Sequence, residues 1–158
     1  MGTVEEFSSD EFLELVSEFP YMPIIIEHLA GGGEEISFPR NGRAPVAPYI
    51  QFQKAMELSG FDNTYLKIHG LGEFNKRPDA LNDKFDMEFF DQIPPLLEIA
   101  KTSFGHRRIM WGSDYPPVSG REGYRNSMKS VTMNPVFSAP TESEWIMGKT
   151  ALTLFNFE

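Results

Sequence analysis

The sequence predicts an α/β fold built on a short parallel sheet, and three observations carry that reading. Three short apolar runs, Ile24 to His28, Thr64 to His69 and Arg108 to Ser113, each finish at a polar or charged residue. Ile24, Ile25 and Ile26 are consecutive β-branched residues rather than an alternating set, as expected of a strand covered on both faces. The runs recur at intervals of about forty residues with helical patterns between them, which is the rhythm of βα units with enlarged loops.

The elements follow in order. Ser8-Ser9-Asp10-Glu11 reads as a capping box, with Ser8 as N-cap, Glu11 at the third helical position and Phe7 stapled onto Phe12. The helix it opens carries Phe12, Leu15, Val16 and Phe19 on one face and ends at Pro20. The first strand follows, and after it a long glycine-rich, charged loop from Ala30 to Ala47. Pro48 opens a second helix that buries Tyr49, Phe52 and Met56 and stops at Gly60. The second strand leads into another long loop from Gly70 to about Phe85. A helix opened by Pro94-Pro95 then carries Leu96, Leu97 and Ala100 and closes at Gly105. Beyond the third strand a short helix spans about Arg121 to Val131 and breaks at Asn134-Pro135. Thr141-Glu142-Ser143-Glu144 reads as a second capping box, and the helix it opens packs Met147, Ala151, Leu154 and Phe155. The whole chain, 1–158, reads as one domain.

Composition narrows the function. A net charge of −9 argues against nucleic acid as a partner, because affinity for phosphate backbones comes from Lys and Arg displacing counterions. No cysteine is present, which removes disulfides, thiolate nucleophiles and cysteine zinc sites and leaves His, Asp and Glu as ligands. The amino terminus is acidic where a signal peptide would be basic, and no apolar stretch approaches the ~20 residues a membrane-spanning helix needs. The expectation is a cytoplasmic chain with no membrane partner.

Strand ends carry the chemistry. The run Trp111-Gly112-Ser113-Asp114-Tyr115-Pro116-Pro117 puts Asp114 at the carboxyl end of the third strand, and the first strand delivers His28 to the same edge, where parallel sheets gather functional groups. Asp114 can ligate a metal and accept a proton, or simply cap the bend before two prolines. Period-two alternation places Ile24, Ile26 and His28 on one face of the first strand and Tyr65, Lys67 and His69 on one face of the second, and both sets are expected to face a common interior. Lys67 in that interior needs a counter-charge or a substrate anion; otherwise it lies at a sheet edge with its amine in water. Arg40, Arg43, Arg77 and Arg121 sit on or beside loops that follow strands and could clamp a carboxylate, with Arg40 and Arg43 the chosen pair. Glu73 is a weaker candidate for acid-base work or for pairing with Lys67. His106 precedes the third strand, on the opposite rim, and reads as structural. Gly31-Gly32-Gly33 lacks the spacing of a nucleotide cradle.

Four blocks in order, Ile24-Ile25-Ile26-Glu27-His28-Leu29-Ala30-Gly31-Gly32, Tyr65-Leu66-Lys67-Ile68-His69-Gly70-Leu71, Arg108-Ile109-Met110-Trp111-Gly112-Ser113-Asp114-Tyr115-Pro116 and Gly148-Lys149-Thr150-Ala151-Leu152-Thr153-Leu154-Phe155, resemble the amidohydrolase-related family over nearly the whole chain. That family holds TIM-barrel lactonases, hydrolases and decarboxylases that act on carboxylated or sugar-acid substrates. The resemblance implies that Asp114 closes the eighth strand as metal ligand and general base. It makes Thr64 to His69 the seventh strand and Ile24 to His28 the sixth. His28 is implied to orient water or bind substrate, and in some members to ligate the metal, a divalent ion such as zinc or manganese. Lys67 matches a family lysine, whereas His69 stands where many members have serine.

The family's His-x-His pair of the first strand, a source of two metal ligands, is absent from this sequence. The resemblance therefore implies a partial TIM barrel, strands six to eight with their helices, at the carboxyl-terminal end of a barrel domain. Three parallel strands cannot close, so a missing barrel half or a second copy is the expected partner besides a small-molecule substrate. The isolated chain is expected to be inactive. The substrate expectation is a carboxylated molecule or lactone, met by Lys67, His69, Arg40 and Arg43 around Asp114 and His28. The alternative is a non-catalytic subunit or interaction module that completes a split barrel by strand addition.

Overall fold

The computed structural model describes residues 2–31, 47–69, 95–120 and 122–157. The chain opens with helix α1, Val4–Phe7, which closes a reciprocal box: Glu6 donates its N–H to Thr3 Oγ1 at 3.3 Å, and Thr3 donates its own to Glu6 Oε2 at 2.7 Å. The box expected at Ser8 and Glu11 is therefore displaced. Ser8 is the C-cap of α1, at φ −95° and ψ 2°, so the extended N-cap of α2, Asp10–Glu18, falls to Ser9, whose Oγ accepts from Phe12 N–H at 3.1 Å. The Phe7 and Phe12 rings still meet edge to face at 5.3 Å.

α2 buries Val16 and leans Phe12 and Leu13 on the core, whereas Leu15 and Phe19 of the expected stripe remain 49 % and 44 % exposed. The following strands are β1, Ile24–Ile26, β2, Thr64–Ile68, and β3, Ile109–Trp111, all parallel in the order β1-β2-β3. Each stops one or more residues short of the polar end read from sequence. Register pairs Ile24 with Thr64, Ile26 with Leu66 and Leu66 with Ile109. Ile26, Thr64, Leu66, Ile68 and Ile109 thus share one face, and all are fully buried against helices. The opposite face presents Ile25, Tyr65 and Lys67, each only half-buried, with Met110 buried beside them.

The covering helices come from βα connections. α3, Ile50–Ala55, tightens into a 3-10 turn, Met56–Gly60, and buries Phe52, Ala55, Met56 and Leu58. It begins after Tyr49 rather than at Pro48, because Tyr49 takes a left-handed φ of 58°. α4, Leu96–Phe104, buries Leu96, Leu97, Ala100 and Phe104 as its periodicity predicts, and Gly105 ends it at φ 66°, where a side chain would be strained. Each such buried Leu or Phe contributes about 1.5–3 kcal/mol.

After β3 comes α5, Gly123–Thr132. The terminal helix runs as α6, Pro140–Glu144, then a widened π turn, Trp145–Lys149, then α7, Thr150–Leu154. It starts at Pro140, with Ala139 N–H donating to Glu142 Oε2 at 3.5 Å, so Thr141 is not its cap. The π turn adds about a residue to that turn; Ile146 and Thr150 are buried there and Met147 leans on the core as expected, while Phe155, past the end of α7, is exposed.

The amino edge of the sheet is tied down by side chains that bond backbone carbonyls. Arg108 donates to Phe61 O and Ser59 O, both at 2.9 Å. Asn63 Nδ2 donates to Phe19 O and Met22 O at 2.8 Å, and Thr64 Oγ1 reaches Leu58 O at 2.7 Å. No helix of the described residues is long and apolar enough to cross a membrane.

Candidate active site

The three strands end side by side, and the ladder continues briefly past them. Leu29 N–H donates to Lys67 O at 2.8 Å and Gly112 N–H to Ile68 O at 2.7 Å, which fixes the turns after β1 and β3 against β2. Beyond these bonds the backbone bends sharply. His28, Leu29 and Ala30 all take left-handed φ near 52°, and Asp114 takes φ 54°. Left-handed geometry costs a non-glycine residue about 1–2 kcal/mol, so four such residues at one edge mark stored strain of the kind found at functional sites.

That strain aims side chains. On the alternation read from sequence, His28 would follow Ile24 and Ile26, which register pairs with Thr64 and Leu66, onto the helix-covered face and away from Tyr65 and Lys67. β1 instead ends at Ile26, and the left-handed turn brings the His28 ring edge to face with His69, centroids 4.6 Å apart and planes at 74°. Glu27, His28, Lys67, His69 and Asp114, with Gly112, Ser113 and Tyr115, line one pocket of about 290 Å³. His69 is buried; Asp114 is half-buried.

Lys67 crosses this pocket. Its Nζ lies 2.8 Å from Glu27 Oε1, and its aliphatic chain lies flat on Gly112, where any Cβ would collide with Lys67 Cε and crowd Cδ and Cγ. Burial pushes the Asp114 carboxyl above the usual aspartate range, opposed in part by charge on His28 and on Lys67. A raised carboxylate is a better proton acceptor, and an imidazole and an ammonium stand beside it to orient an attacking group. The bend before the prolines is held by Ser113, whose Oγ accepts Tyr115 N–H at 3.3 Å, and by Val118 N–H donating to Asp114 O at 3.0 Å.

A family model described as amidohydrolase matches residues 2–157. The chain belongs to the amidohydrolase family. A curated relative from Sinorhizobium fredii, an uncharacterized protein, is 29 % identical over 128 residues, covering 78 % of this amidohydrolase chain and 36 % of its own. An amidohydrolase from Burkholderia multivorans with bound zinc superposes with a TM-score of 0.69 at 17 % identity, over 96 % of this chain and 49 % of that one. A probable 2-pyrone-4,6-dicarboxylic acid hydrolase from Acinetobacter baumannii with citric acid bound gives 0.66 at 16 % identity, over 99 % and 51 %. At these identities the likeness is one of fold. The chain spans about half the length of the solved structures and about a third of the curated relative.

A divalent metal such as zinc is held by three or four protein ligands. Among the described residues no three His, Asp or Glu side chains gather to hold an ion, so His28 and Asp114 offer at most part of a coordination shell. They do not by themselves fit a zinc or manganese centre.

The structure brings together Asp114, His28, Lys67 and His69 of the residues singled out in this amidohydrolase sequence. Arg40, Arg43, Arg77, Arg121 and Glu73 lie outside the described residues. His106 stands on the opposite rim, its Nδ1 3.9 Å from Glu142 Oε1. Among the described residues Lys67 pairs with Glu27, which the sequence reading did not single out. The signal was there: Glu27 lies directly before His28, and period two with Ile25 puts it on the Lys67 face.

Proposed function

We propose that this chain supplies the closing part of an amidohydrolase-family hydrolase site, with β1, β2 and β3 in the places of barrel strands six, seven and eight. The observation that carries the reading is the meeting of His28 and Asp114, from strands that are not neighbours, on one pocket at the carboxyl edge of the sheet. In this reading Asp114 takes the proton of a water that attacks a carbonyl carbon, and His28 aligns that water. Lys67 donates a hydrogen bond to the acyl oxygen as charge develops there. The bond to the leaving oxygen then breaks, and Asp114 returns the proton to it. A metal in this site would add Lewis-acid assistance and would need ligands beyond His28 and Asp114.

The substrate class we assign is a small carboxylated lactone or related molecule. A fold neighbour being a probable 2-pyrone-4,6-dicarboxylic acid hydrolase supports it. Decarboxylation is the variant reaction that the same residues would serve. The test is turnover of a panel of lactones and carboxylated esters by the protein alone and co-expressed with the polypeptide encoded immediately upstream. Hydrolysis should appear with the completing polypeptide and fall about 10²- to 10⁴-fold in Asp114→Asn. Full activity in both Asp114→Asn and His28→Gln would overturn the assignment. A second reading, a non-catalytic subunit of a split barrel, is favoured by one observation: among the described residues β1 and β3 each pair on one side only. Complex formation without turnover of any kind would select it.

A further inference from the structure

The Glu27, Lys67 and Gly112 arrangement has a consequence that the hydrolase reading does not contain. A lysine meant only to attract anions would extend into solvent or toward open space. Here its Cγ, Cδ and Cε lie along the one residue of the β3 end that has no side chain, and its charge is already met by a carboxylate 2.8 Å away. Glu27 follows β1, Lys67 is on β2 and Gly112 follows β3, so the whole width of the sheet holds one side chain in one pose. At 34 % and 43 % exposure the Lys67–Glu27 pair is too wet to be explained by stability, since such pairs contribute close to nothing. Its position in the pocket that holds Asp114 and His28 is the feature that calls for a role.

We infer that Glu27 and Gly112 are specificity-determining positions: they hold Lys67 across the pocket floor with its charge half spent, so that it offers hydrogen bonds to one substrate oxygen and disfavours ligands bearing several negative charges at this point. The inference rests on the hydrolase reading for its substrate but not for its geometry. Glu27 Oε1 stands 2.8 Å from Lys67 Nζ, so a second anionic group brought to that ammonium also meets the Glu27 carboxylate and is repelled by it. Glu27 acts through Lys67 and is a positioning residue.

The experiment uses the full chain and reads geometry and selectivity separately. Acetylation of lysines by a limiting amount of acetic anhydride, with acetate as leaving group, followed by mass spectrometry, reports how well Lys67 is held. Its labelling should rise about two- to fivefold relative to the other lysines in Glu27→Gln and in Gly112→Ala, and stay at the wild-type rate in Glu27→Asp. Glutarate and butyrate, a dianion and a monoanion, are then titrated while the ring signals of His28 and His69 are followed by NMR. Glu27→Gln should tighten glutarate over butyrate by about three- to fivefold, while Glu27→Asp keeps the wild-type ratio. Gly112→Ala, checked for folding by circular dichroism, should weaken both. Unchanged Lys67 labelling in Glu27→Gln, an unchanged ratio, failure of wild type to bind either acid, or Glu27→Asp behaving as Glu27→Gln would each overturn the inference. Failure of Asp114-dependent turnover with labelling and ratio as expected would overturn only the hydrolase reading.

Discussion

The two edges of the sheet are built to opposite rules. At the amino edge Arg108, Asn63, Thr64 and Lys101 all give their donors to backbone carbonyls or to a carboxylate, and Arg108 also lies over the Phe104 ring at 5.5 Å. At the carboxyl edge the backbone is left-handed at His28, Leu29, Ala30 and Asp114, and burial holds the Asp114 carboxyl above its ordinary range. One edge spends its polar groups on joining loops to strands. The other accepts strain and a carboxylate that would be better solvated elsewhere, the pattern expected where the proposed site lies.

The largest stability effect should therefore come from the amino edge. Arg108→Ala removes two charged hydrogen bonds and a ring contact and leaves the Ser59 and Phe61 carbonyls without their donor. It should cost about 2–3 kcal/mol, read as a thermal midpoint lower by about 4–12 °C. A change within error would erase the distinction between the edges.

Lys101 and Glu142 give a smaller, pH-dependent effect. Lys101 Nζ donates to Glu142 at 2.8 Å and to Val136 O at 2.6 Å, and the hydrogen bond from Lys101 holds the Glu142 carboxyl below the usual glutamate range. A carboxyl lowered on folding contributes stability that is present above its unfolded value, about 4.3, and lost as pH falls through the lower folded value. Glu142→Gln should lower the neutral-pH midpoint by about 2–4 °C and remove that part of the acid loss, as measured by denaturation between neutrality and pH 3.

Asp114→Asn should have the smallest effect on stability and the opposite sign. Its carboxyl is raised on folding, so its contribution is full below its unfolded value and declines as pH rises through the folded one. At neutral pH the ionised group opposes folding, and the amide should melt no lower than wild type. With half of the side chain in solvent, the gain is expected to be small. An Asp114→Asn variant that melted several degrees lower would place this aspartate among the structural residues and end the contrast between the edges.

Much of this was legible in the chain. The apolar runs, the helix of Leu96, Leu97 and Ala100, and its stop at Gly105 follow from periodicity and from glycine's freedom at positive φ. Asp114 and His28 were legible as strand-end groups, and the order of four sequence blocks carried the family. Less legible was anything depending on where one turn ends and the next begins. Ser9 rather than Ser8 caps α2 because α1 claims Ser8, and the terminal helix buries Ile146 and Thr150 where a π turn interrupts its regular period. Simple periodicity assumes that each element is independent and regular, and both failures break that assumption.

The sequence by itself determined the parallel α/β class, the order of elements and the residue types that could do chemistry, because hydrophobic period and glycine and proline placement are local properties. Only the tertiary structure decided that His28 turns away from the Ile24 and Ile26 face to meet His69, that Glu27 pairs with Lys67, and that Gly112 is the floor under that lysine. Those facts depend on register between strands forty residues apart and on left-handed turns past their ends. Neither is written in any window of sequence short enough to read.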